Sequence, residues 1–175
     1  MTNNNPLVSV MMNCYNGELY LREAIDSVYA QTYENWEIIL FDNASTDNSA
    51  AIATSYDSRL KYFRNDKTVN LGPARNKALE KCQGEYVAIL DCDDVWFIQK
   101  LEKQMDLFKD DPKIAVVYSN CTVLESNKQL SSKYKRKLFR GMIFDDMLRN
   151  HFIPPSPTVV IKKEYIYSIG SFLDY

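Results

Sequence analysis

Tyr86-Val87-Ala88-Ile89-Leu90-Asp91-Cys92-Asp93-Asp94 changes character at its midpoint. Its first five residues are apolar without alternation, the pattern of a strand covered on both faces in a parallel sheet. The polar end must therefore emerge at the edge of that sheet, where Asp91, Asp93 and Asp94 crowd into one small volume. Like charges so close raise one another's pKa and cost stability unless a cation neutralises them. Hard oxygen donors of this kind suit Mg2+ or Mn2+. Short acidic turns also cap helices, so the same residues suit a solvated turn before a helix expected from near Phe97.

Outward from this stretch, strands and helices alternate. Leu7 to Cys14 is apolar and rich in β-branched residues. Glu18 to Thr32 then places Leu21, Ala24, Ile25, Val28 and Tyr29 at helical spacing. Trp36 to Phe41 reads as strand, Ala50 to Tyr56 as helix, Leu60 to Phe63 as strand, and Pro73 to Lys81 as a helix with proline in its first turn. Beyond the acidic stretch follow a helix over Phe97 to Phe108 and a strand over Ile114 to Tyr118. Cys121 to Ile153 reads as irregular, with a short helix around Phe144 to Leu148. Thr158 to Ile161 is a further strand, and Glu164 to Ser168 a helical turn. The alternation predicts an α/β, doubly wound fold, a mostly parallel sheet with helices on both faces.

A chain of 175 residues, 46% hydrophobic with 13% aromatics, is long enough for one domain with a real core. A net charge of −2 without a sustained basic face argues against nucleic acid as a partner. The run Lys133-Tyr134-Lys135-Arg136-Lys137 reads as a solvated loop, or else as a contact for an anionic membrane surface or a phosphate. Cys14, Cys82, Cys92 and Cys121 lack C-x-x-C spacing and the chain has one histidine, so zinc ligation has little support. Reduced thiols fit a cytoplasmic protein. The opening Met1-Thr2-Asn3-Asn4-Asn5-Pro6 lacks a signal-peptide pattern, and no stretch approaches the roughly 18 apolar residues that span a bilayer. A soluble chain is expected, with peripheral contact at the inner face of a membrane as its closest approach to lipid.

In open parallel sheets, ligands bind beyond the carboxyl ends of the strands, and the unusual polar residues fall there. Tyr15 and Asn16 follow the first strand, Asp42 and Asn43 end the second, and the acidic cluster ends the fourth. Asp47 suits a helix cap instead. Neither G-x-G-x-x-G after the first strand nor a P-loop is present, so bound phosphates would depend on a metal and on arginine. Arg75, at the start of the helix after Asn70-Leu71-Gly72-Pro73, is a candidate second cation, or else a surface arginine.

Several blocks together resemble family 2 glycosyltransferases of the GT-A, Rossmann-like fold. They are Val8-Ser9-Val10-Met11-Met12-Asn13-Cys14-Tyr15-Asn16, Leu21-Arg22-Glu23-Ala24, Gln31-Thr32-Tyr33-Glu34-Asn35-Trp36-Glu37 and Asp42-Asn43-Ala44-Ser45-Thr46-Asp47. Asn70-Leu71-Gly72-Pro73-Ala74-Arg75-Asn76, Gly84-Glu85-Tyr86 and Leu90-Asp91-Cys92-Asp93-Asp94-Val95-Trp96 continue the series over roughly the first 110 residues. The resemblance implies a nucleotide-sugar partner, usually a UDP-sugar, and transfer of the sugar to an acceptor hydroxyl with inversion. The acceptor would be a glycan, a lipid-linked glycan or a cell-surface polysaccharide. By position, the resemblance places Tyr15 against the base, with Asn16 beside it. Asp42 would accept from the base's ring N–H, Arg75 would contact the base or diphosphate, and Asp91 would reach the ribose. It puts the Mn2+ or Mg2+ ion on Asp93, with Asp94 as the alternative ligand.

The chain departs from the family pattern in two places near the site. Cys14 stands where family members commonly have threonine or another small polar residue, and Asn43 where they have a second aspartate. The family's general base comes from an acidic pair some way after a glycine-phenylalanine segment, which Ile169-Gly170-Ser171-Phe172 resembles. Asp174 is too close to that segment to match, and His151 reads as a packing or loop residue. The expectation is a single GT-A domain over 1–175, with 1–120 as its nucleotide-binding half and the base beyond Tyr175. Two other functions remain open: a nucleotide-sugar-binding module without turnover, and a haloacid-dehalogenase-like phosphatase, whose D-x-D-x-[TV] motif resembles Asp91-Cys92-Asp93-Asp94-Val95. That phosphatase motif normally follows the first strand of its fold, whereas three strands precede it here.

Overall fold

The computed structural model describes residues 5–125, 128–132, 138–150 and 153–173. The opening residues Met1 to Asn4, the basic run at Lys133 to Lys137, His151 and Asp174 lie outside them. The elements are β1 (Val8–Cys14), α1 (Leu21–Tyr29), β2 (Trp36–Asp42), α2 (Ser49–Ala53), β3 (Leu60–Arg64), α3 (Leu71–Lys81) and β4 (Tyr86–Ile89). They continue as α4 (Lys100–Asp110), β5 (Val116–Tyr118), β6 (Thr122–Glu125), β7 (Lys128–Ser132), α5 (Phe144–Asn150), β8 (Val159–Lys162) and α6 (Lys163–Ser168). A 3-10 turn at Ser156–Thr158 leads into β8.

Six strands form one sheet in the order β3-β2-β1-β4-β8-β5. The first four are parallel, and β8 runs antiparallel between β4 and β5. Val87, Ala88 and Leu90 are fully buried, as an apolar run covered on both faces requires. Alternate residues feed two cores. Val10, Met12, Ile38, Leu40, Ala88 and Leu90 pack under α1, α2 and α4. Met11, Ile39, Phe41, Val87 and Ile89 pack under α3 and α6. Each fully buried Ile, Leu or Met side chain here stabilises the fold by roughly 1.5–3 kcal/mol relative to exposure.

Three features differ from the sequence expectation, the smallest being that α2 ends at Ala53 and not at Tyr56. α4 begins at Lys100, not Phe97, and the residues before it are bonded to the α1–β2 connection. Phe97 O accepts from Gln31 Nε2 at 2.9 Å and Ile98 O from the Thr32 N–H at 3.0 Å. A β6–β7 hairpin forms within the stretch that reads as irregular. Its strands are short and mixed in polarity, so they carry little periodic signal.

Gly84 holds the β4 entry against β1. A Cβ there would lie 2.5 Å from Leu7 O and 2.7 Å from Ser9 N, backbone atoms that cannot step aside. Beside it, Glu37 accepts from Ser9 Oγ (2.6 Å), Lys61 Nζ (2.7 Å) and the Gln83 N–H (2.7 Å), tying β1, β2, β3 and the α3–β4 turn together. Burial pushes the Glu37 carboxyl up. The Lys61 and Ser9 hydrogen bonds and the Gln83 N–H outweigh it, and the net direction is down.

Candidate active site

The parallel register aligns Cys14, Asp42 and Arg64 across the carboxyl ends of β1, β2 and β3. Met11 pairs with Ile89, so Cys92, three residues on, comes level with Cys14. The residues singled out from sequence thus converge on one end of the sheet, as parallel topology dictates.

Asp42 is fully buried. Its Oδ1 accepts from the Ser45 N–H at 2.7 Å, and its Oδ2 accepts from the Tyr62 hydroxyl at 2.5 Å with Arg64 Nη1 at 3.4 Å. Burial, followed by the bond to Asp42, pushes the Tyr62 hydroxyl up to about 12, so it remains a donor. Tyr62 and Arg64 carry no motif, and only their place in register on β3 would have indicated them.

Tyr15 is 54% exposed, an open aromatic face beside this carboxylate. Asn16 adopts positive φ (51°), a conformation asparagine tolerates. Its Oδ1 accepts from the Thr46 N–H at 2.8 Å and its own N–H donates to Ser45 Oγ at 2.9 Å, which pins the β1–α1 loop to the β2–α2 loop. Asp47 serves the same joint, accepting from the Ser49 and Glu18 N–H groups at 3.0 and 2.9 Å.

On the other side of the crevice, Arg75 projects from the first half of α3. Its Nη2 donates to Asp91 Oδ1 at 3.1 Å and to Ser156 Oγ at 3.4 Å. The guanidinium lies 5.7 Å from the Phe172 ring centroid, and the side chain is 16% exposed. Arg75 is therefore a half-buried cation at the acidic strand end. Its Nε and Asn13 Nδ2 are buried donors without hydrogen-bond partners among the described residues. Asn76 clamps Phe172 in both directions, Nδ2 to Phe172 O at 2.9 Å and the Phe172 N–H to Oδ1 at 2.8 Å. That clamp brings the glycine-phenylalanine segment onto α3. Ser156 and Phe172 lie far from Arg75 in sequence, and no local pattern announces them.

Asp93 is exposed and Asp94 half-buried, with the Asp94 N–H donating to Asp91 O at 3.1 Å in the turn. Among the described residues, no three acidic, histidine or cysteine side chains converge into a metal cage. Mg2+ and Mn2+ at phosphate-transfer sites need no such cage, being held by one or two carboxylates together with substrate phosphates, and Asp93 and Asp94 fit that requirement.

Cys14 and Cys92 are free thiols that meet beneath Gly17, whose hypothetical Cβ would lie 2.8 and 3.1 Å from the two sulfurs. The hydrogen bond from Cys92 outweighs burial and brings the Cys14 thiol down to about 7, while Cys92 is pushed up by the same contact and by burial. Cys14 thus packs against its counterpart inside the acidic motif.

Sheet order, two-sided helical cover and an acidic strand end beside a half-buried arginine are those of the GT-A class of glycosyltransferase fold. Within that class the chain belongs to Glycosyl transferase family 2, whose profile matches residues 9–170. It is 35% identical over 167 residues to TuaG of Bacillus subtilis, a glycosyltransferase assigned to teichuronic acid biosynthesis, covering 94% of this chain and 65% of that protein. It is 37% identical over 122 residues to WfgD of Escherichia coli, a UDP-Glc:alpha-D-GlcNAc-diphosphoundecaprenol beta-1,3-glucosyltransferase, covering 69% of this chain and 48% of that protein. The chain thus spans less than two thirds of the length of these relatives.

Among solved structures, S. aureus TarS 1-349 in complex with UDP-GlcNAc superposes with a TM-score of 0.75 at 23% identity, over 93% of this chain and 47% of that one. The mannosyltransferase PcManGT from Pyrobaculum calidifontis, in complex with GDP-Man and Mn2+, gives 0.72 at 22% identity, over 98% and 48%. Likeness at these identities establishes the fold.

Proposed function

We propose that this chain binds a nucleoside diphosphate sugar, with UDP as the nucleotide, as the donor-binding portion of an inverting glycosyltransferase in cell-surface polysaccharide assembly. Residues 1–175 then form one GT-A domain, with 1–120 as its nucleotide half. The observation that carries this reading is the half-buried Arg75 held against Asp91 at the carboxyl end of β4. A relative that uses UDP-Glc and a fold neighbour seen with UDP-GlcNAc point to the same ligand class.

In this reading Tyr15 covers the flat face of the base, and Asp42 accepts its ring N–H. A carboxylate offers about four acceptor positions, and Asp42 gives two of them to the Ser45 N–H and the Tyr62 hydroxyl, with Arg64 Nη1 an ion-pair partner at 3.4 Å. Asn16 holds the two loops that carry these groups. Asp91, oriented by Arg75, meets the ribose hydroxyls. Asp93 and Asp94 would hold Mn2+ or Mg2+, which when bound neutralises the charge developing on the departing diphosphate. Inversion further requires a base within hydrogen-bond reach of the acceptor hydroxyl, on the face opposite the diphosphate. None of the residues assigned here is given that role. Free thiols at Cys14, Cys82, Cys92 and Cys121 suit a reaction on the cytoplasmic side.

Calorimetric titration of UDP-Glc, UDP-GlcNAc and GDP-Man, each with and without Mn2+, tests the proposal. UDP-sugars are expected to bind, more tightly with Mn2+. Absence of binding by every UDP-sugar to folded protein would sink it.

A further inference from the structure

Cys14 closes β1 and Cys92 sits inside the acidic turn, far apart in sequence and side by side in the sheet. Neighbouring strands lie about 4.8 Å apart, inside the Cα spacing of roughly 4.4–6.8 Å that a disulfide spans. The side chains converge as well. Both sulfurs lie within 3.1 Å of the point where a Gly17 Cβ would stand, and the two thiols share a hydrogen bond. Gly17 is itself fixed there, its N–H donating to Ser49 Oγ at 2.9 Å and its carbonyl accepting from the Tyr20 and Leu21 N–H groups. Glycine at this position leaves the space in which the sulfurs meet.

The pair is unlike Cys82, which is buried at the end of α3 with its Sγ donating to Ala78 O at 3.5 Å. A metal does not account for it either: among the described residues, no third cysteine, histidine or acidic side chain completes a cage with these two. Cys92 is half-buried and Cys14 is buried, so a reagent from solvent meets Cys92 first and Cys14 lies behind it as the resolving thiol.

We propose that Cys14 and Cys92 form a reversible oxidation site for hydrogen peroxide, and that the resulting disulfide weakens binding of the nucleotide sugar. Cys92 Sγ attacks one peroxide oxygen; an S–O bond forms, the O–O bond breaks, and the Cys92 proton leaves with the second oxygen as water. Cys14 Sγ then attacks the Cys92 sulfur; the S–S bond forms, the S–O bond breaks, and the departing hydroxide takes the Cys14 proton as a second water. The two thiols together lose two electrons, which the peroxide gains. Disulfides of this transient, sensing kind are those found in reducing compartments.

An S–S bond of about 2.05 Å is shorter than the hydrogen bond that it replaces, so one partner must move. Cys14 is held in β1, its carbonyl accepting from the Asn43 N–H at 2.8 Å, whereas Cys92 lies beyond the last residue of β4. The shift therefore falls on the acidic turn and carries Asp91 and Asp93 with it. This effect on binding rests on the donor reading; the disulfide does not.

Peptide mapping tests the disulfide. The fully reduced 175-residue protein is treated with one equivalent of hydrogen peroxide, remaining thiols are alkylated, and linked peptides are identified by mass spectrometry. An intramolecular Cys14–Cys92 link, reversed by dithiothreitol and retained in Cys121→Ser, is the expected result. Oxidation confined to Cys121, links only between chains, or no link overturns the inference. Cys14→Ser and Cys92→Ser should each lose the link; where either fails to fold, mapping of the unmodified protein decides alone. Calorimetry with UDP and Mn2+ tests the consequence, and the oxidised form is expected to bind about tenfold or more weakly, as displaced contact groups imply. By reciprocity, UDP with Mn2+ should then raise the reduction potential of the pair by about 30 mV for each tenfold. Equal affinity of both forms refutes the effect on binding. Binding by neither form refutes the donor reading and that effect together, while the mapping still decides the thiol pair.

Discussion

Replacing Lys100 by methionine is expected to stabilise this protein, the reverse of the usual effect of a core substitution. Burial brings the Lys100 amine down from an ordinary 10.5 to about 7. At about 1.4 kcal/mol per pKa unit, that fall sets an upper limit of roughly 5 kcal/mol on the cost of holding the charged form. The Trp96 face at 3.8 Å offsets about 2 kcal/mol of it, leaving roughly 3. The sign with pH follows from proton counts. Between pH 7 and 10.5 the unfolded chain binds more protons at this site than the folded one, so this group's contribution to stability improves as pH rises. Lys100→Met should therefore be more stable by about 3 kcal/mol at pH 6 to 7, with the gap shrinking as pH approaches 10. Urea unfolding at pH 6, 7.5 and 9, analysed with a common slope, measures it. A variant less stable at every pH, or a gap that does not change with pH, refutes the account of Lys100 as an unpaired buried cation.

Gly84→Ala forces a Cβ against the Leu7 and Ser9 backbone and should cost about 3 kcal/mol or more, read as a lowered urea midpoint. Glu37, its carboxyl held low in the folded state, contributes stability that is present above the ordinary carboxylate range and lost as pH falls through its folded value; Glu37→Gln should flatten the acid limb of the stability curve between pH 5 and 3. Arg75→Ala should weaken UDP binding by roughly tenfold or more in calorimetry while leaving the fold's circular dichroism intact. Asp93→Asn should remove most of the Mn2+ dependence of UDP-sugar binding with little change in metal-free affinity, and an undiminished Mn2+ effect in this variant and in Asp94→Asn together would count against the assigned ligands.

What the chain declares locally, it declares well. The apolar run into Asp91 carries its own two-sided burial, and the spacing of Leu21, Ala24, Ile25 and Val28 marks the buried stripe of α1, all four being buried. The parallel order then brings Tyr15, Asp42 and Asp91 to one sheet end without further information. What escaped is non-local. Ser156 and Phe172 reach Arg75 only because β8 inserts antiparallel beside β4 and Asn76 captures the Phe172 backbone. Lys100 and Gln104 read as ordinary residues of an amphipathic helix, since charge at one helical position says nothing about which atoms the neighbouring strand will cover.

The acidic turn joins these two kinds of information. Trp96 lies directly after it and is fixed from both sides: its backbone N–H donates to Ser27 Oγ at 3.1 Å on α1, and its Nε1 donates to Pro157 O at 2.8 Å ahead of β8. One residue thus ties the acidic motif to the first helix and to the late segment that carries Ser156. Movement of either anchor would be transmitted to Asp93 and Asp94 through only two or three peptide units, while Arg75 holds Asp91 from the α3 side. The acidic turn is consequently held by the two Trp96 hydrogen bonds behind it and by the Arg75 cation beside Asp91.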